Sequence, residues 1–499
     1  MRTPFERASF ALKHDQTLGT IAERLASIHG GRRMVEESDQ GLHLTFTQAS
    51  KRVNRWAGGI AARVAPGDAV VIATPNGYEQ VLLCLAASRA GAIPAPVNSQ
   101  MSPGEIDHVV RDSGATLVVN RAVEIDGAEP LASAVPAAQA DVAALLYTSG
   151  TTGKPKGVEL THRSLLGSIA SGVLWPAALR RDEAVFGLPV AHVMGFAAVL
   201  GTACAGIPVY FLPSFHPVKV LDAIESRRAT MFVGVPAMFR MLLEAGAADR
   251  DLRSVRVWMS GADVMPGDLA AVFKRFGATA TLPLVGSVGE AAFIEGYGLV
   301  ESGGGVAVRV SPPMLGFGLG SSIGMALPGY RFKVIDDAGD EVPVGTVGDL
   351  LVRGPGVLKG YHGDTEATDA ALTDDGWLRT GDLARRGTRG FVRFEGRKKD
   401  VIKRGGYSVY AVEIEQTLEE HPDVLEAAVV PLPDERQGEV PVAAVRVAPG
   451  CDLAALDLGT WATERLSEYK VPVRFLAVDD FPRTGTNKVQ RREVVSLFE

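Results

Sequence analysis

Residues 147–158 combine the chemical groups that bind a polyphosphate. The segment reads Tyr-Thr-Ser-Gly-Thr-Thr-Gly-Lys-Pro-Lys-Gly-Val, with three glycines, four Ser or Thr hydroxyls and two lysines. Glycine lets the backbone approach a bulky anion, and N–H groups, hydroxyls and ammonium groups replace the water around phosphate oxygens. The apolar run 142–146 before it predicts a buried strand. We therefore interpret the segment as a phosphate-binding loop, whose candidate ligands are Thr148, Ser149, Gly150, Thr151, Thr152, Gly153, Lys154 and Lys156.

The spacing of this loop excludes a Walker A motif. That motif needs Gly-x-x-x-x-Gly-Lys-Ser/Thr, whereas Thr148 stands at the first glycine and Pro155 at the magnesium-binding hydroxyl. A flexible linker is the simpler alternative. A linker would not be expected to follow a buried-strand pattern or to carry two lysines, so we favour the phosphate loop.

Composition favours an ordinary globular enzyme of two or more domains. The chain has 499 residues, 46% hydrophobic and 22% charged, with a net charge of −7. The negative charge argues against nucleic-acid binding, which needs a basic face. Cys84, Cys204 and Cys451 have neither disulfide nor zinc spacing, and we expect a reducing, cytoplasmic location. No secretory core or transmembrane run is evident, while a peripheral membrane contact stays open.

The first half of the chain alternates strand and helix patterns. We predict strands at 69–73, 92–97 and 116–119, and helices at 79–90 and 103–113, with helical stretches around a strand at 42–46 over residues 20–64. Such alternation predicts an α/β fold with doubly wound parallel sheets. We predict a large domain over residues 1–395 and a compact α+β domain over residues 396–499.

Several further segments carry polar residues in unusual surroundings. His192 lies in an apolar stretch, Asp382 follows a Thr-Gly turn, and Lys488 lies in a Gly-Thr-Asn loop near the chain end. Residues 396–407 hold six charges and the pair Gly405-Gly406. Alone, each has a simple interpretation as a packed histidine, a turn residue or a solvated loop.

Together these motifs resemble the acyl-adenylate-forming superfamily, which includes acyl-CoA synthetases, firefly luciferase and the adenylation domains of peptide synthetases. Five motifs occur in the family's order over nearly the whole chain. The resemblance implies a large domain with a small distorted β-barrel subdomain near residues 345–361, followed by a mobile C-terminal domain. It also implies ATP, Mg²⁺ and coenzyme A as substrates and cofactor. Eleven residues follow Lys488, so we expect any carrier protein to be a separate chain.

The resemblance assigns roles to the nucleotide-binding residues. Lys488 would stabilise the charge that develops at the α-phosphate, and Asp382 would accept hydrogen bonds from the ribose. Glu301, with the Thr148 hydroxyl, would hold Mg²⁺, since hard cations prefer oxygen ligands. The remaining nucleotide contacts would be Gly261, Ala262, Glu295, Gly296, Tyr297, Val300 and Arg397. Val300 departs from the family's threonine and loses one hydroxyl.

Further roles concern the acid and the thiol. His192 would gate the carboxylate pocket, lined by Phe196, Gly234 and Val235. Segment 190–196 has no acidic residue, which disfavours an amino acid substrate because a buried ammonium would lack a partner. Lys399 would be the hinge of the C-terminal domain, and Gly405 and Gly406 would line the thiol tunnel.

These roles predict an acid–thiol ligase that forms acyl-AMP and pyrophosphate and then an acyl thioester of coenzyme A. The apolar pocket positions suggest an aliphatic or aromatic acyl group without a second charge, and we expect a fatty acid as substrate. Two alternatives stay open. The acceptor could be the pantetheine of a carrier protein, or, because of Val300, the chain could bind nucleotide and acyl groups with weakened catalysis.

Overall fold

The computed structural model describes residues 7, 10–11, 15–38, 41–98, 100–148, 155–167, 169–175, 181–282, 284–315, 322–484 and 487–498. Its largest sheet has nine strands. Their spatial order is Met325–Ala326, Gly304–Ser311, Ala292–Leu299, Val257–Gly261, Met231–Gly234, Ala184–Phe186, Val209–Phe211, Arg33–Glu37 and His43–Thr45. The six strands from Ala292–Leu299 to Arg33–Glu37 are parallel, and the outer strands are antiparallel.

Helices cover both faces of this main sheet. Side chains of successive strand residues point to opposite faces: Val185 joins an apolar cluster with the helices Pro217–Arg227, Pro236–Glu244 and Gly267–Phe276. Phe186 joins the largest cluster, which includes the helix Val193–Ala205. The predicted doubly wound α/β architecture is therefore confirmed.

A second parallel sheet comes from the first quarter of the chain. Its strands are Ile93–Pro96, Ala69–Ile72 and Leu117–Val119. The surrounding helices are Leu18–His29, Phe46–Ala61, Tyr78–Arg89 and Pro103–Asp112. These elements agree with the predicted ones to within a few residues, whereas the strand Arg33–Glu37 was not predicted.

The phosphate-loop segment lies between two antiparallel strands. Val142–Thr148 pairs with Lys156–Thr161, and Gly360–Tyr361 completes a three-stranded sheet. The strand Lys156–Thr161 was not predicted, and the helix His162–Leu166 follows it directly. Of the predicted loop, Ser149, Gly150, Thr151, Thr152, Gly153 and Lys154 lie outside the described residues.

The predicted small β subdomain is a four-stranded antiparallel sheet. Its strands, in order, are Arg331–Ile335, Val347–Arg353, Leu378–Arg386 and Val392–Arg397. A two-stranded sheet, Ala280–Leu282 with Gly286–Val288, and the helix Thr365–Ala371 complete the large domain.

The C-terminal sheet begins only a few residues later. Its order is Tyr407–Tyr410, Val401–Arg404, Gly438–Val447 and Val424–Asp434, with Arg474–Ala477 pairing with Gly438–Val447. The helices of this domain are Ala411–Glu419, Leu458–Arg465 and Arg491–Val495. The chain thus passes from one sheet to the next between residues 397 and 401, and we propose the division at 395–396 on that basis. Within the described residues, none of the helices has the length and hydrophobicity needed to span a bilayer.

Candidate active site

The parallel strands of the main sheet end at the candidate site. Gly234, Gly261 and Tyr297 lie at or near the carboxyl ends of three neighbouring strands. Ligands of open α/β sheets bind at this edge, where the loops leave the strands. The fold therefore brings together residues that are far apart in sequence.

Lys488 carries its charge into this edge from the C-terminal domain. Its backbone is fixed in a tight loop, because the Lys488 N–H donates to the Thr484 hydroxyl at 3.2 Å and its carbonyl accepts from the Thr484 N–H at 2.8 Å. Burial lowers the pKa of the ammonium, while the nearby charge of Asp263 opposes that shift, and Asp382 and Glu301 act in the same direction as Asp263. A partly desolvated cation facing three carboxylates is suited to holding an anionic substrate.

Asp382 is a carboxylate buried between two predicted partners. It is 1% exposed, and its Oδ2 accepts a hydrogen bond of 2.5 Å from the Tyr297 hydroxyl. Arg397 Nε lies 3.0 Å from Oδ1, in a strand directly paired with that of Asp382. Oδ1 itself accepts no hydrogen bond within the described part of the chain. Burial raises the pKa of Asp382, and the charge of Arg397 opposes that rise.

Within the described residues, this buried oxygen has its ion pair with Arg397 but accepts no well-aligned hydrogen bond. Buried polar atoms usually accept at least one hydrogen bond, so Oδ1 has capacity for a donor from a ligand. A ribose hydroxyl is a hydrogen-bond donor that could complete Oδ1, as the predicted role requires. Burial and the Asp382 carboxylate also keep the pKa of Tyr297 well above its usual value, so its hydroxyl stays a donor.

Glu301 is held in place by a residue that was not predicted. The Tyr361 hydroxyl donates to Glu301 Oε1 at 3.0 Å. The Lys156 ammonium lies 5.5 Å from the centre of the Tyr361 ring and pairs with Asp364 at 3.0 Å. These contacts link the second lysine of the phosphate-loop segment to the carboxylate that is the candidate metal ligand.

The donor set here suits Mg²⁺. Oε2 of Glu301 accepts no hydrogen bond within the described residues, and the half-buried Thr148 ends the strand that enters the loop. Mg²⁺ is usually held by one or two protein oxygens together with substrate phosphates and water. Among the described residues, no three or more His, Cys, Asp or Glu side chains come together in a group that could hold a metal ion. Glu301 and Thr148 would hold the ion.

Two glycines, Gly261 and Gly296, lie where the nucleotide base was predicted to bind. Gly261 and Gly296 are paired in adjacent strands, and a Cβ added to Gly261 would lie 3.1 Å from the Gly296 carbonyl oxygen. Ala262 has φ 68°, a conformation that is uncommon for residues with a side chain. Such strain concentrates at functional sites. Gly261 is thus packed against the neighbouring strand, whereas a Cβ added to Gly296 would meet nothing within 4 Å, so the open space lies beside Gly296.

The Glu295 side chain is engaged elsewhere. Arg309, its partner in the next strand, donates from Nε to Glu295 Oε2 at 2.7 Å. Glu295 therefore offers only its backbone to a nucleotide, while its carboxylate joins two strands.

His192 begins the helix that follows a main-sheet strand. Its Nδ1 accepts from the Met194 N–H at 3.3 Å as the helix N-cap. Burial, together with the charge of Lys488, lowers the pKa of the ring to about 4. The imidazole is consequently neutral at physiological pH and lies within electrostatic reach of Lys488.

The predicted acyl-pocket residues are buried beside His192. Phe196 is 1% exposed and Val235 is 4% exposed, and both belong to the apolar cluster that also holds Val300. A Cβ on Gly234 would lie 2.8 Å from the Phe232 ring, so glycine is needed there for packing alone. Val300, 8% exposed, packs as a core residue.

The remaining predicted residues lie apart from these contacts. Lys399 is exposed in a single helical turn, Lys398–Asp400. Gly405 and Gly406 form an exposed hairpin turn with φ 54° and 87°, and added Cβ atoms would meet nothing within 4 Å. Positive φ at both positions is sufficient local reason for two glycines.

Sequence reasoning missed Asp263, Tyr361 and Asp364. Asp263 directly follows the predicted Gly261-Ala262 pair, and Tyr361 ends the segment assigned to the β subdomain. Their polar character was visible, but their partners lie 60 to more than 200 positions away in the chain.

Comparison with known proteins agrees with this arrangement. Residues 22–362 match the AMP-binding enzyme family, and residues 413–488 match the AMP-binding enzyme C-terminal domain. A feruloyl-CoA synthase from an Amycolatopsis species is 34% identical, covering 92% of this chain and 94% of the relative. The fatty acid–[acyl-carrier-protein] ligase ScoC of Streptomyces coeruleorubidus is 32% identical, covering 92% of both chains.

A solved structure extends the likeness to three dimensions. ATP-bound MatB from Rhodopseudomonas palustris superposes with a TM-score of 0.83 at 29% identity, over 97% of this chain and 99% of that one. The chain therefore belongs to the AMP-binding enzyme family and is an AMP-forming acid–thiol ligase of the acyl-CoA ligase type.

Proposed function

We propose that the protein activates a fatty acid with ATP to acyl-AMP and then transfers the acyl group to the thiol of coenzyme A. The observation that carries this proposal is the position of Lys488, whose charge interacts with Asp263, Asp382 and Glu301 at the carboxyl edge of the main sheet. We place the nucleotide and the acyl group on either side of this lysine. ATP and coenzyme A are substrates, and a cytoplasmic location follows from the supply of both.

In the first half-reaction the carboxylate oxygen attacks the α-phosphorus and pyrophosphate leaves. Asp382 and Tyr297 orient the ribose, while Gly261, Ala262 and Gly296 receive the base. Mg²⁺ on Glu301 and Thr148 would neutralise phosphate charge. Lys488 stabilises the negative charge that accumulates at the α-phosphate. Positioning and charge stabilisation provide most of the rate in phosphoryl chemistry.

The acid specificity follows from the surroundings of His192. Its ring is neutral and Phe196 and Val235 are apolar, so the pocket suits a chain without a second charge. An ω-carboxylate or an amino group would be buried without a partner, which is unfavourable. This supports an aliphatic or aromatic acid without a second charge, and of these we propose the aliphatic one.

In the second half-reaction the thiol replaces AMP on the acyl carbon. We propose that the C-terminal domain rotates about Lys399, which withdraws Lys488 and brings Gly405 and Gly406 to the thiol path. The exposure of these residues suits that role, because a hinge must change its backbone angles without losing buried contacts.

The test is a substrate panel. Purified protein and Mg-ATP are incubated with acids from acetate to long-chain fatty acids and with benzoates and cinnamates, with and without coenzyme A. Pyrophosphate, AMP and thioester are followed by mass spectrometry. Fatty acyl-CoA as the main product supports the proposal, and a higher kcat/KM for aromatic acids contradicts its fatty-acid part.

A carrier protein is the second candidate acceptor. It is favoured by the similarity to ScoC, whose name specifies a fatty acid and an acyl carrier protein. The same panel with a purified carrier protein distinguishes the two, because faster loading of the carrier than of coenzyme A would reverse our assignment.

The third alternative, binding with weakened catalysis, depends on Val300. Exchange of labelled pyrophosphate into ATP with any acid of the panel would exclude it, since exchange requires reversible adenylate formation.

A further inference from the structure

Two arginines cross the interface between the large and C-terminal domains. Arg240 lies on the helix Pro236–Glu244, and its guanidinium pairs with Glu419 at 2.8 Å and with Glu426 at 3.2 Å. In the opposite direction, Arg446 of the C-terminal domain pairs with Glu244 at 3.1 Å. Arg240 and Glu244 are one helical turn apart and so share a face.

The contacts of Arg240 are shielded from solvent. The side chain of Arg240 is 13% exposed, that of Glu419 14% and that of Glu426 5%. Loss of Arg240 would leave the Glu419 carboxylate desolvated without its arginine partner, whereas Glu426 would keep Arg446 at 3.3 Å and Arg483 at 2.6 Å, both in its own domain. Burial raises the pKa of Glu419 to about 7 although Arg240 opposes the rise. Without Arg240, the closed interface would therefore be disfavoured.

Glu426 also connects this interface to the loop that carries Lys488. Arg483 donates to Glu426 Oε2 at 2.6 Å, and its backbone pairs with Val489 across the loop. The Gln490 side chain donates to the Arg483 carbonyl at 2.7 Å. A continuous series of contacts thus runs from Arg240 through Glu426 and Arg483 to the loop of Lys488.

We propose that Arg240 is a positioning residue for the adenylation step, because its ion pairs with Glu419 and Glu426 hold the C-terminal domain where Lys488 enters the site. The inference rests on the proposed function, in which the domain then rotates for thiol transfer. The ion pairs of Arg240 must break in that rotation. Arg240 therefore favours the first half-reaction and does not assist the second.

The test compares two half-reactions in Arg240→Ala. Pyrophosphate exchange should fall about tenfold or more, the scale expected when a buried interfacial charge pair is truncated. Thioester formation from synthetic acyl-adenylate should be unchanged or faster. Arg240→Lys should recover part of the exchange activity. Arg227→Ala is the matched control, because Arg227 also binds two carboxylates, Glu36 and Glu183, but within the large domain.

A readout without catalysis separates this inference from the proposed function. Residues 397–404 contain five lysines and arginines, and trypsin cleavage there should be faster in Arg240→Ala than in wild type or Arg227→Ala. Equal loss of both half-reactions in a folded Arg240→Ala, or unchanged exchange and cleavage, would overturn the inference. Wild-type protein without any exchange activity would instead contradict the proposed function, while the cleavage result would still test the interface.

Discussion

At the scale of single residues, Lys488 is the cation on which the candidate site depends. Its ammonium is partly desolvated and interacts with the charges of Asp263, Asp382 and Glu301. We expect Lys488→Ala to reduce acyl-adenylate formation by at least about 100-fold, because a preorganised charge at the developing negative charge is lost. Thioester formation from synthetic acyl-adenylate should be largely retained. Both steps are measured separately, by pyrophosphate exchange and by thioester release.

Lys470→Ala provides the control for this variant. Lys470 lies in the same domain and pairs with Glu413 at 2.6 Å, and it is not among the charges that interact with Lys488, so pyrophosphate exchange should stay close to wild type. Equal losses in the two steps of Lys488→Ala would mean that the lysine has been given the wrong role.

Val300 stands where the sequence resemblance leads us to expect a threonine. It is 8% exposed within the largest apolar cluster. Val300→Thr should lower the KM for ATP about tenfold if the hydroxyl regains a charge-assisted hydrogen bond. The same hydroxyl should destabilise the ATP-free protein by about 1 kcal/mol, because it is buried without a partner. Steady-state kinetics and thermal unfolding without ATP measure the two effects.

The matched change is Val300→Ala, which removes packing without adding a donor. It should lower stability and leave the KM for ATP no better than that of wild type. If the KM for ATP were lower in Val300→Ala than in wild type, nucleotide binding would be limited by the volume of the residue 300 side chain and not by the missing hydroxyl.

At the scale of elements, the parallel strands and their helices were largely predictable. The strand Ala69–Ile72 and the helix Tyr78–Arg89 differ from their predicted bounds by one residue at most at each end, because apolar runs and glycine stops are local signals. The strand Lys156–Thr161 was missed although it alternates, with Val158 and Leu160 buried. Its glycine and lysine had been interpreted as loop chemistry.

Other features depend on partners that are distant in sequence. The strand Arg33–Glu37 is rich in charge, and its stability in the sheet depends on pairs such as Arg33 with Glu183 at 2.7 Å. The orientation of Glu301 depends likewise on Tyr361. No local pattern contains either contact, so the motif residues were predictable and the residues that support them were not.

The hairpin turn at Gly405 and Gly406 permits a test of the thiol path. Gly406 has φ 87° and its added Cβ would meet nothing within 4 Å. Gly406→Leu should therefore leave pyrophosphate exchange nearly intact. If the turn lines the thiol path after rotation, thioester formation should fall about 100-fold, the scale of a misplaced reacting group.

Gly450→Leu is a closely matched control. Gly450 lies in the same domain, has φ 86° and is equally open, so its substitution carries the same backbone strain. Equal effects of the two variants on thioester formation would assign the loss to strain and remove Gly406 from the thiol path.

At the scale of the whole molecule, three histidines are kept neutral inside the large domain. Burial lowers the pKa of His29, His162 and His192 to about 4 each. One nitrogen of each ring makes a hydrogen bond: His162 Nδ1 accepts from the Leu18 N–H at 3.0 Å, His29 Nε2 lies 3.1 Å from the Cys204 carbonyl, and His192 Nδ1 accepts from the Met194 N–H. The bonds of His162 and His29 hold the helix Leu18–His29 against the helices His162–Leu166 and Val193–Ala205.

These three rings make the protein less stable towards acid pH. In the unfolded chain they bind protons near pH 6.5, whereas the folded protein binds them only near pH 4. The unfolded state therefore holds more protons in this window, and the free energy of unfolding should fall as pH drops from about 6.5 towards 4. Each ring contributes about 1.4 kcal/mol per pH unit at most.

Urea unfolding between pH 5 and 7, followed by tryptophan fluorescence, measures the slope of the free energy of unfolding against pH. Glu419, whose pKa burial raises to about 7, binds a proton in the folded state over the same window and opposes the slope of the histidines. His162→Asn keeps an acceptor for Leu18 and should reduce the slope by the contribution of one ring, whereas His216→Asn, at an exposed position, should leave it closer to wild type. An unchanged slope in His162→Asn would mean that the His162 imidazole has the same protonation state in the folded and the unfolded protein between pH 5 and 7.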